Sequence, residues 1–335
     1  MAASALVVGS YNQDYAWRVD AAPQAGETRR GEDFRSLPGG KGFNQAVACA
    51  RQGVPTIFLG ALGRDAAGDT ARRLAADEGI DARWQACDDA ATGSACIVVE
   101  RGGQNRIIVA LGANERLDPA FLAAQADAFD SARVLLVQRE NNPAATRAAL
   151  ALGDARGLVR VLNPAPAHDG IDAALLAQCD IVTPNETEFA LLLEQVVGER
   201  VDAATLAAGE DVRLHALARR LGAGTVVITL GAAGCFVSHG ADRRGDAGTH
   251  YRIAAERVAA IDTTGAGDAF NGALVAALIR QAGQPFRDAV VHANRCAALS
   301  TERRGAAPSM PHHDEVLRRF AHGDRAAAGD AKGEA

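Results

Sequence analysis

Short apolar, β-branched runs alternate along this chain with longer segments rich in alanine and leucine. That alternation argues for an α/β fold in which a sheet is covered by helices on both faces. The spacing predicts strands over residues 5–8, 56–59, 134–137, 159–162, 181–183, 225–229 and 235–238. Helices are expected over 42–51, 66–78, 143–152, 173–178, 186–193, 212–221, 268–281, 286–299 and 313–320. Two stretches break the rhythm. Residues 15–38 are extended and polar with turn residues, and 94–100 and 106–111 read as two strands joined by Arg101-Gly102-Gly103-Gln104-Asn105. They form either a small sheet standing off the core, as a lid or a dimerisation surface, or an ordinary surface hairpin. Residues 198–210 read as a loop with a short helical piece. With no internal repeat and no long linker, one domain over 1–322 is expected, its β lid built from about 13–38 and 94–112. The small, polar tail 323–335 is expected to be disordered.

Bulk properties bound the function. At 335 residues and 48% hydrophobic, the chain can bury one large core. A net charge of −6 gives no electrostatic footprint for nucleic acid or an anionic membrane. Cysteines at 49, 87, 96, 179, 235 and 296 show neither a disulfide framework nor zinc spacing, and free thiols suit a cytoplasmic protein. No transmembrane or signal-peptide run is evident. Lysine occurs only at 41 and 332, so Lys41 stands alone inside a glycine loop of an arginine-rich chain.

Several segments carry chemistry. Asp262-Thr263-Thr264-Gly265-Ala266-Gly267-Asp268 stands between a strand-like stretch and a long apolar helix. Small residues and a helix N-terminus together make an anion pocket. Asp268 there is either a base that takes a proton from a hydroxyl while phosphate arrives, or a cap after a glycine turn. Gly39-Gly40-Lys41-Gly42-Phe43-Asn44 opens a helix, but glycine after Lys41 rules out a P-loop. Thr229-Leu230-Gly231-Ala232-Ala233-Gly234 joins two strands, either over a nucleotide or as a plain hairpin. Neither loop has dinucleotide-binding spacing, which argues against a dehydrogenase. Asn185 and Glu188 lie one helical turn apart after a strand, placed to hold hydrated magnesium or to cap a helix. Asn12 and Asp14 share one face of an extended segment, where they can grip vicinal hydroxyls or simply stop a strand. Glu140 is another acid at the carboxyl end of a strand, and the histidines show no metal-ligand spacing.

These pieces in this order resemble the ribokinase family of carbohydrate kinases. Asn163-Pro164-Ala165-Pro166-Ala167, Thr183-Pro184-Asn185-Glu186-Thr187-Glu188 and Arg303-Arg304-Gly305-Ala306-Ala307-Pro308-Ser309 complete a match running from about Leu6 to Phe320. The resemblance implies a three-layer ribokinase-like core with a central, mostly parallel sheet and a small β-sheet lid. It implies ATP-dependent phosphorylation of D-ribose at O5, with Asp268 as base and the amides of Gly265, Ala266, Gly267 and Asp268 as anion hole. Asn12, Asp14, Gly40, Lys41, Gly42, Asn44 and Glu140 match ribose-contacting positions. Asn185, Thr229, Gly231, Gly234, Gly267 and Asn294 match nucleotide-contacting ones. Mg²⁺ would accompany ATP near Asn185 and Glu188, through water. An activating K⁺ would sit at Asp262, Thr264, Ser300, Arg303, Gly305 and Ser309, several of them through main-chain carbonyls. The implied partners are ATP, a small sugar and a second copy of the chain, joined through the lid.

One departure bears on substrate. Phe43 stands where the family usually has alanine, and Tyr11, Tyr15 and Trp17 add aromatic bulk near the entrance strand. That bulk either tightens the pocket on a pentose or stacks on a base. A deoxyribose or nucleoside kinase of the same family therefore stays open beside ribose, and a non-catalytic sugar sensor stands further back.

Overall fold

The structure, a computed structural model, describes residues 3–102, 104–167 and 170–321. The tail expected to be disordered lies outside the described residues. In chain order the strands are β1 (Ser4–Val8), β2 (Asn12–Val19), β3 (Asp33–Gly39), β4 (Thr56–Gly63), β5 (Asp81–Cys87), β6 (Gly93–Glu100), β7 (Asn105–Ala110), β8 (Ala132–Val137), β9 (Val159–Leu162), β10 (Ile181–Val182), β11 (Thr225–Thr229), β12 (Cys235–His239) and β13 (His250–Ile253). Nine of them form one sheet in the order β13-β12-β11-β10-β9-β8-β1-β4-β5. Pairing is parallel except where β12 meets β11 and β13.

The side-chain period of two puts successive residues of a strand on opposite faces. In β1, Ala5 and Val7 enter one core while Leu6 and Val8 enter another. The helices Lys41–Arg51, Ala266–Arg280 and Phe286–Ser300 cover the first face. Pro143–Asp154, Glu186–Leu192 and Asp211–Arg220 cover the second. The result is the three-layer α/β architecture that the alternation implied. The Lys41–Arg51 and Ala266–Arg280 helices touch closely, because Gly272 has no side chain. A Cβ there would strike Ala48 and come within 2.6 Å of the Gln45 carbonyl.

A separate four-stranded sheet has the order β3-β2-β6-β7. Its β6–β7 hairpin is the one the sequence predicts. The outer strands of the large sheet, β5 and β13, were not among the expected strands. Each sits at an edge with one neighbour and carries few buried residues, so neither presents an apolar run to read. The short helix Ala203–Leu206 falls in the expected 198–210 loop.

Candidate active site

The chain leaves β1 and passes directly against the glycine loop that opens the Lys41–Arg51 helix. A Cβ on Gly40 would lie 2.6 Å from Asn12 N, and one on Gly42 would lie 2.5 Å from Gly9 Cα. Gly40 also has φ 86°, a region that favours glycine. The glycines of this loop are thus demanded first by the chain itself. Ser10 Oγ donates to Glu140 Oε2 at 2.5 Å, and the Lys41 N–H donates to the same oxygen at 2.8 Å. Glu140 therefore sets a negative charge against the helix start, where the dipole favours it. Asn114 Nδ2 donates to Asn12 Oδ1 (2.9 Å) and to the Tyr11 carbonyl (3.0 Å), fixing the head of β2.

Asp268 lies in the first turn of the Ala266–Arg280 helix, which follows Gly265 at φ 77°. Asn44 Nδ2 donates to Asp268 Oδ2 and Gln45 Nε2 to Oδ1, both at 2.9 Å. Gln45 also donates to Asn163 Oδ1 (3.0 Å) and accepts from Gln138 Nε2 (2.6 Å). Thr183 Oγ1 donates to Asn271 Oδ1 (2.6 Å), whose Nδ2 donates to the Gly267 carbonyl (2.8 Å). A buried network of this kind holds the carboxylate in one orientation. The Ala266 N–H is taken by the Thr263 carbonyl at 3.2 Å, while those of Gly265, Gly267 and Asp268 find no acceptor among the described residues. Of the amides expected to form the anion hole, Ala266 is thus already engaged. A Cβ on Gly267 would meet nothing within 4 Å, so this glycine faces open space.

The acids around Lys41 shape one another. Burial pushes the Asp14 carboxyl up to about 7, helped by the charges of Glu140 and Asp268. Burial pushes the Lys41 ammonium down, but Asp268, Glu140 and Glu188 more than offset it and hold it above the ordinary lysine range. Burial likewise raises Glu188, against the Asn185 amide and Lys41.

Asn185 and Glu188 form a capping box. Glu188 N–H donates to Asn185 Oδ1 (2.8 Å) and Asn185 N–H to Glu188 Oε2 (2.9 Å). Glu188 keeps its second oxygen for another partner. Asn185 also bridges to Thr229 at the end of β11. Gly231 and Gly234 have φ 51° and 88°, and a Cβ on Gly234 would lie 2.6 Å from Ala255 N. Asn294 Nδ2 holds the neighbouring Ala254 carbonyl at 2.8 Å. Both features pin the segment that follows β13.

Beside the Asp268 turn, Asp262 accepts from the Thr264 N–H and the Gly305 N–H, each at 2.9 Å. Burial pushes this carboxyl up, yet the amides of Gly305 and Thr264 hold it below the usual carboxylate range. Ser300 and Ser309 spend their hydroxyls on the Ala297 and Ala306 carbonyls, both at 2.8 Å, and Arg303 binds Glu315 at 2.9 Å. The Ser300 and Ser309 hydroxyls and both oxygens of Asp262 are thus engaged within the protein.

One cleft of about 220 Å³ collects Lys41, Asn185, Glu188, Thr229, Gly265, Gly267 and Asp268. Asn44 and Glu140 join it through Asp268 and Lys41. Asn12, Asp14, Gly40, Gly42, Gly231, Gly234 and Asn294 do not line it. Sequence reasoning did not single out Gln45, Asn114, Gln138, Asn163 or Asn271. Each is a neutral side chain whose role appears only through its partner, although Asn163 opens one of the motifs that carry the family resemblance. Tyr11 and Phe43, expected near the entrance, are 0% and 1% exposed and pack edge to face at 5.2 Å inside the core. Tyr15 and Trp17 instead cluster with Phe34 on the small sheet.

The model for pfkB family carbohydrate kinases matches residues 2–313. The ribokinase of Haemophilus influenzae is 36% identical over 317 residues, covering 94% of this chain and 98% of that protein. That of Schizosaccharomyces pombe is 36% identical over 325 residues, covering 93% and 96%. Among solved structures, ribokinase from Giardia lamblia superposes with a TM-score of 0.84 at 28% identity, over 96% of this chain and 99% of that one. Arabidopsis thaliana ribokinase complexed with ribose and ATP gives 0.81 at 28% identity, over 95% and 98%.

Proposed function

This chain belongs to the pfkB family of carbohydrate kinases, and from that premise we propose that it transfers the γ-phosphoryl group of ATP to O5 of D-ribose, giving D-ribose 5-phosphate and ADP. The observation that carries the reading is the meeting of a fixed carboxylate with unpartnered amides. Asp268, held by Asn44 and Gln45, lies in the same helical turn as the acceptor-free N–H groups of Gly267 and itself.

Asp268 takes the proton of the attacking hydroxyl, and the amides meet the charge that develops on the transferred group. Such a reaction asks for positioning and charge stabilisation rather than covalent help from the protein. Lys41 adds a fixed positive charge to the cleft. Asn12, Asp14 and Glu140 orient the sugar, and the turn from Thr229 to Gly234 and Asn294 shape the nucleotide side. Bound with ATP, Mg²⁺ neutralises phosphate charge, and the unengaged oxygen of Glu188 is available to its water shell. A potassium ion among the carbonyls near Asp262 would stiffen the turn that leads into Gly265. The small sheet acts as a lid, and its exposed Trp17, Phe34, Ile107, Ile108 and Val109 favour pairing with a second copy. Among the described residues no helix is long and apolar enough to cross a membrane, and the free cysteines suit a cytoplasmic enzyme.

The inward packing of Tyr11 and Phe43 removes the main reason for a nucleoside acceptor. The test is ADP release with Mg-ATP in potassium buffer over ribose, deoxyribose, fructose and several nucleosides. Strong turnover on ribose is expected. Turnover on a nucleoside alone would move the substrate, and silence across the panel would return the sensor reading.

A further inference from the structure

A second cleft, of about 160 Å³, opens at the opposite end of the sheet, where β8 and β9 begin and the Ala266–Arg280 helix ends. At about 1.5 Å per residue that helix places it roughly 20 Å from Asp268. Its floor is apolar, with Val159, Leu278 and Phe286, and its rim carries Arg133, Arg244 and Gln281.

Three observations single out the rim. Arg133 is exposed and has no hydrogen bond or ion pair among the described residues. Arg244 Nε and Gln281 Oε1 are both buried without a partner, a donor and an acceptor left unmet on one cavity. Buried polar atoms are normally satisfied, so each exception asks for a cause. Arg244 is also the sole non-glycine residue with positive φ among the described residues, at 51°. It precedes Gly245 at φ 85° in a turn closed by Asp246 N–H to the Arg243 carbonyl at 2.9 Å. Such a turn favours Asn, Asp or Gly at the Arg244 position. The main chain holds Arg244 in that conformation, its N–H on Asp242 Oδ1 at 2.8 Å and its carbonyl on the Phe286 N–H at 3.1 Å, so the guanidinium is carried on a fixed turn. Its Nη2 donates to the Asp180 carbonyl at 3.4 Å and lies 3.7 Å from the Asp180 carboxylate, which Arg160 already holds at 2.9 Å, so Nε is the donor left over.

We propose that this cleft binds a small hydroxylated oxyanion, a polyol phosphate or a hydroxy acid. The anionic group lies between Arg133 and Arg244 and supplies the acceptor that Nε lacks. A hydroxyl donates to Gln281 Oε1, and the carbon skeleton rests on Leu278 and Phe286. A bare anion satisfies only half of this rim, and a neutral polyol only the other half.

Calorimetric titration tests the site with glycerol 3-phosphate and glycerate as the two candidate classes, and with inorganic phosphate and glycerol as half-ligands. The proteins are the wild type, Arg133→Gln and Arg244→Asn. Asparagine tolerates positive φ, so Arg244→Asn keeps the turn while removing the guanidinium. The wild type should bind one of the two hydroxylated anions about tenfold more tightly than either half-ligand, and each variant should lose about tenfold of that affinity while its melting temperature holds. Which class binds identifies the ligand. The proposal is overturned if neither saturates, if inorganic phosphate binds as well, or if all three proteins bind alike, as they would for an anion held at the amides of Gly267 and Asp268.

Discussion

Gln45 Nε2 lies 2.9 Å from Oδ1 of Asp268 across 223 positions of sequence, and Asn44 holds the other carboxylate oxygen at the same distance. The residue proposed as base is therefore oriented from the helix that the glycine loop opens.

Replacing Asp268 by Asn keeps the shape and removes the base. Turnover should fall at least ~10²-fold while ATP and sugar still bind, checked by steady-state rates alongside direct binding. Near-normal turnover would sink the assignment.

Gln45 separates positioning from chemistry. Gln45→Leu leaves Asn163 Oδ1 and Gln138 Nε2 without a partner and should cost about 1–3 kcal/mol of stability. Gln45→Glu sets a like charge beside Asp268, which raises the carboxyl pKa. The acid limb of the kcat–pH profile should then move to higher pH, with the KM for ATP nearly unchanged. A profile that does not move would show that Gln45 is only packing.

The two glycines of the catalytic turn should fail in different ways. At Gly265, φ 77° and an Ala306 Cα only 2.8 Å from any added Cβ make Gly265→Ala destabilising by more than the ~1–2 kcal/mol of the backbone strain alone. At Gly267 the methyl enters open space, so Gly267→Ala should melt like the wild type but lose turnover. Equal melting of the two variants would contradict this geometry.

Asp14 sets a pH dependence whose sign is fixed. Its folded carboxyl is raised to about 7 from an ordinary 3.8, so the folded protein holds the extra proton between those values. Stability contributed by this group is lost as pH rises through that window. The melting temperature of Asp14→Asn relative to the wild type should therefore climb from pH 5 to pH 8. If the ionised form grips sugar hydroxyls, the KM for ribose should fall over the same range in the wild type and stay flat in the variant.

Activity should be higher in potassium than in sodium at equal ionic strength, and Asp262→Asn should blunt the difference. Equal rates across a cation series would remove the proposed ion.

The layered fold was legible because apolar runs in buried strands such as β1 and β11 carry their own signal. Strands β5 and β13 were not, because an edge strand bordered by solvent has little apolar content to betray it. Asp268, Lys41 and Glu188 were visible as charges in unusual settings. Gln45 and Asn114 were not, since an amide announces nothing until its partner is known. The role imagined for Phe43 failed for a related reason. Neighbours in sequence on a helix point to different sides, so Asn44 and Gln45 reach Asp268 while Phe43 enters the core.

The missing side chain at Gly272 has a kinetic meaning. By letting two helices from opposite ends of the chain touch, it welds the glycine loop and the proposed base into one rigid body. Strand β3 of the small sheet runs into that body through Gly40, at φ 86°. As the proposed lid, the small sheet would then govern how long a sugar stays and how much water enters, while the alignment of Asp268 is already set by its two donors.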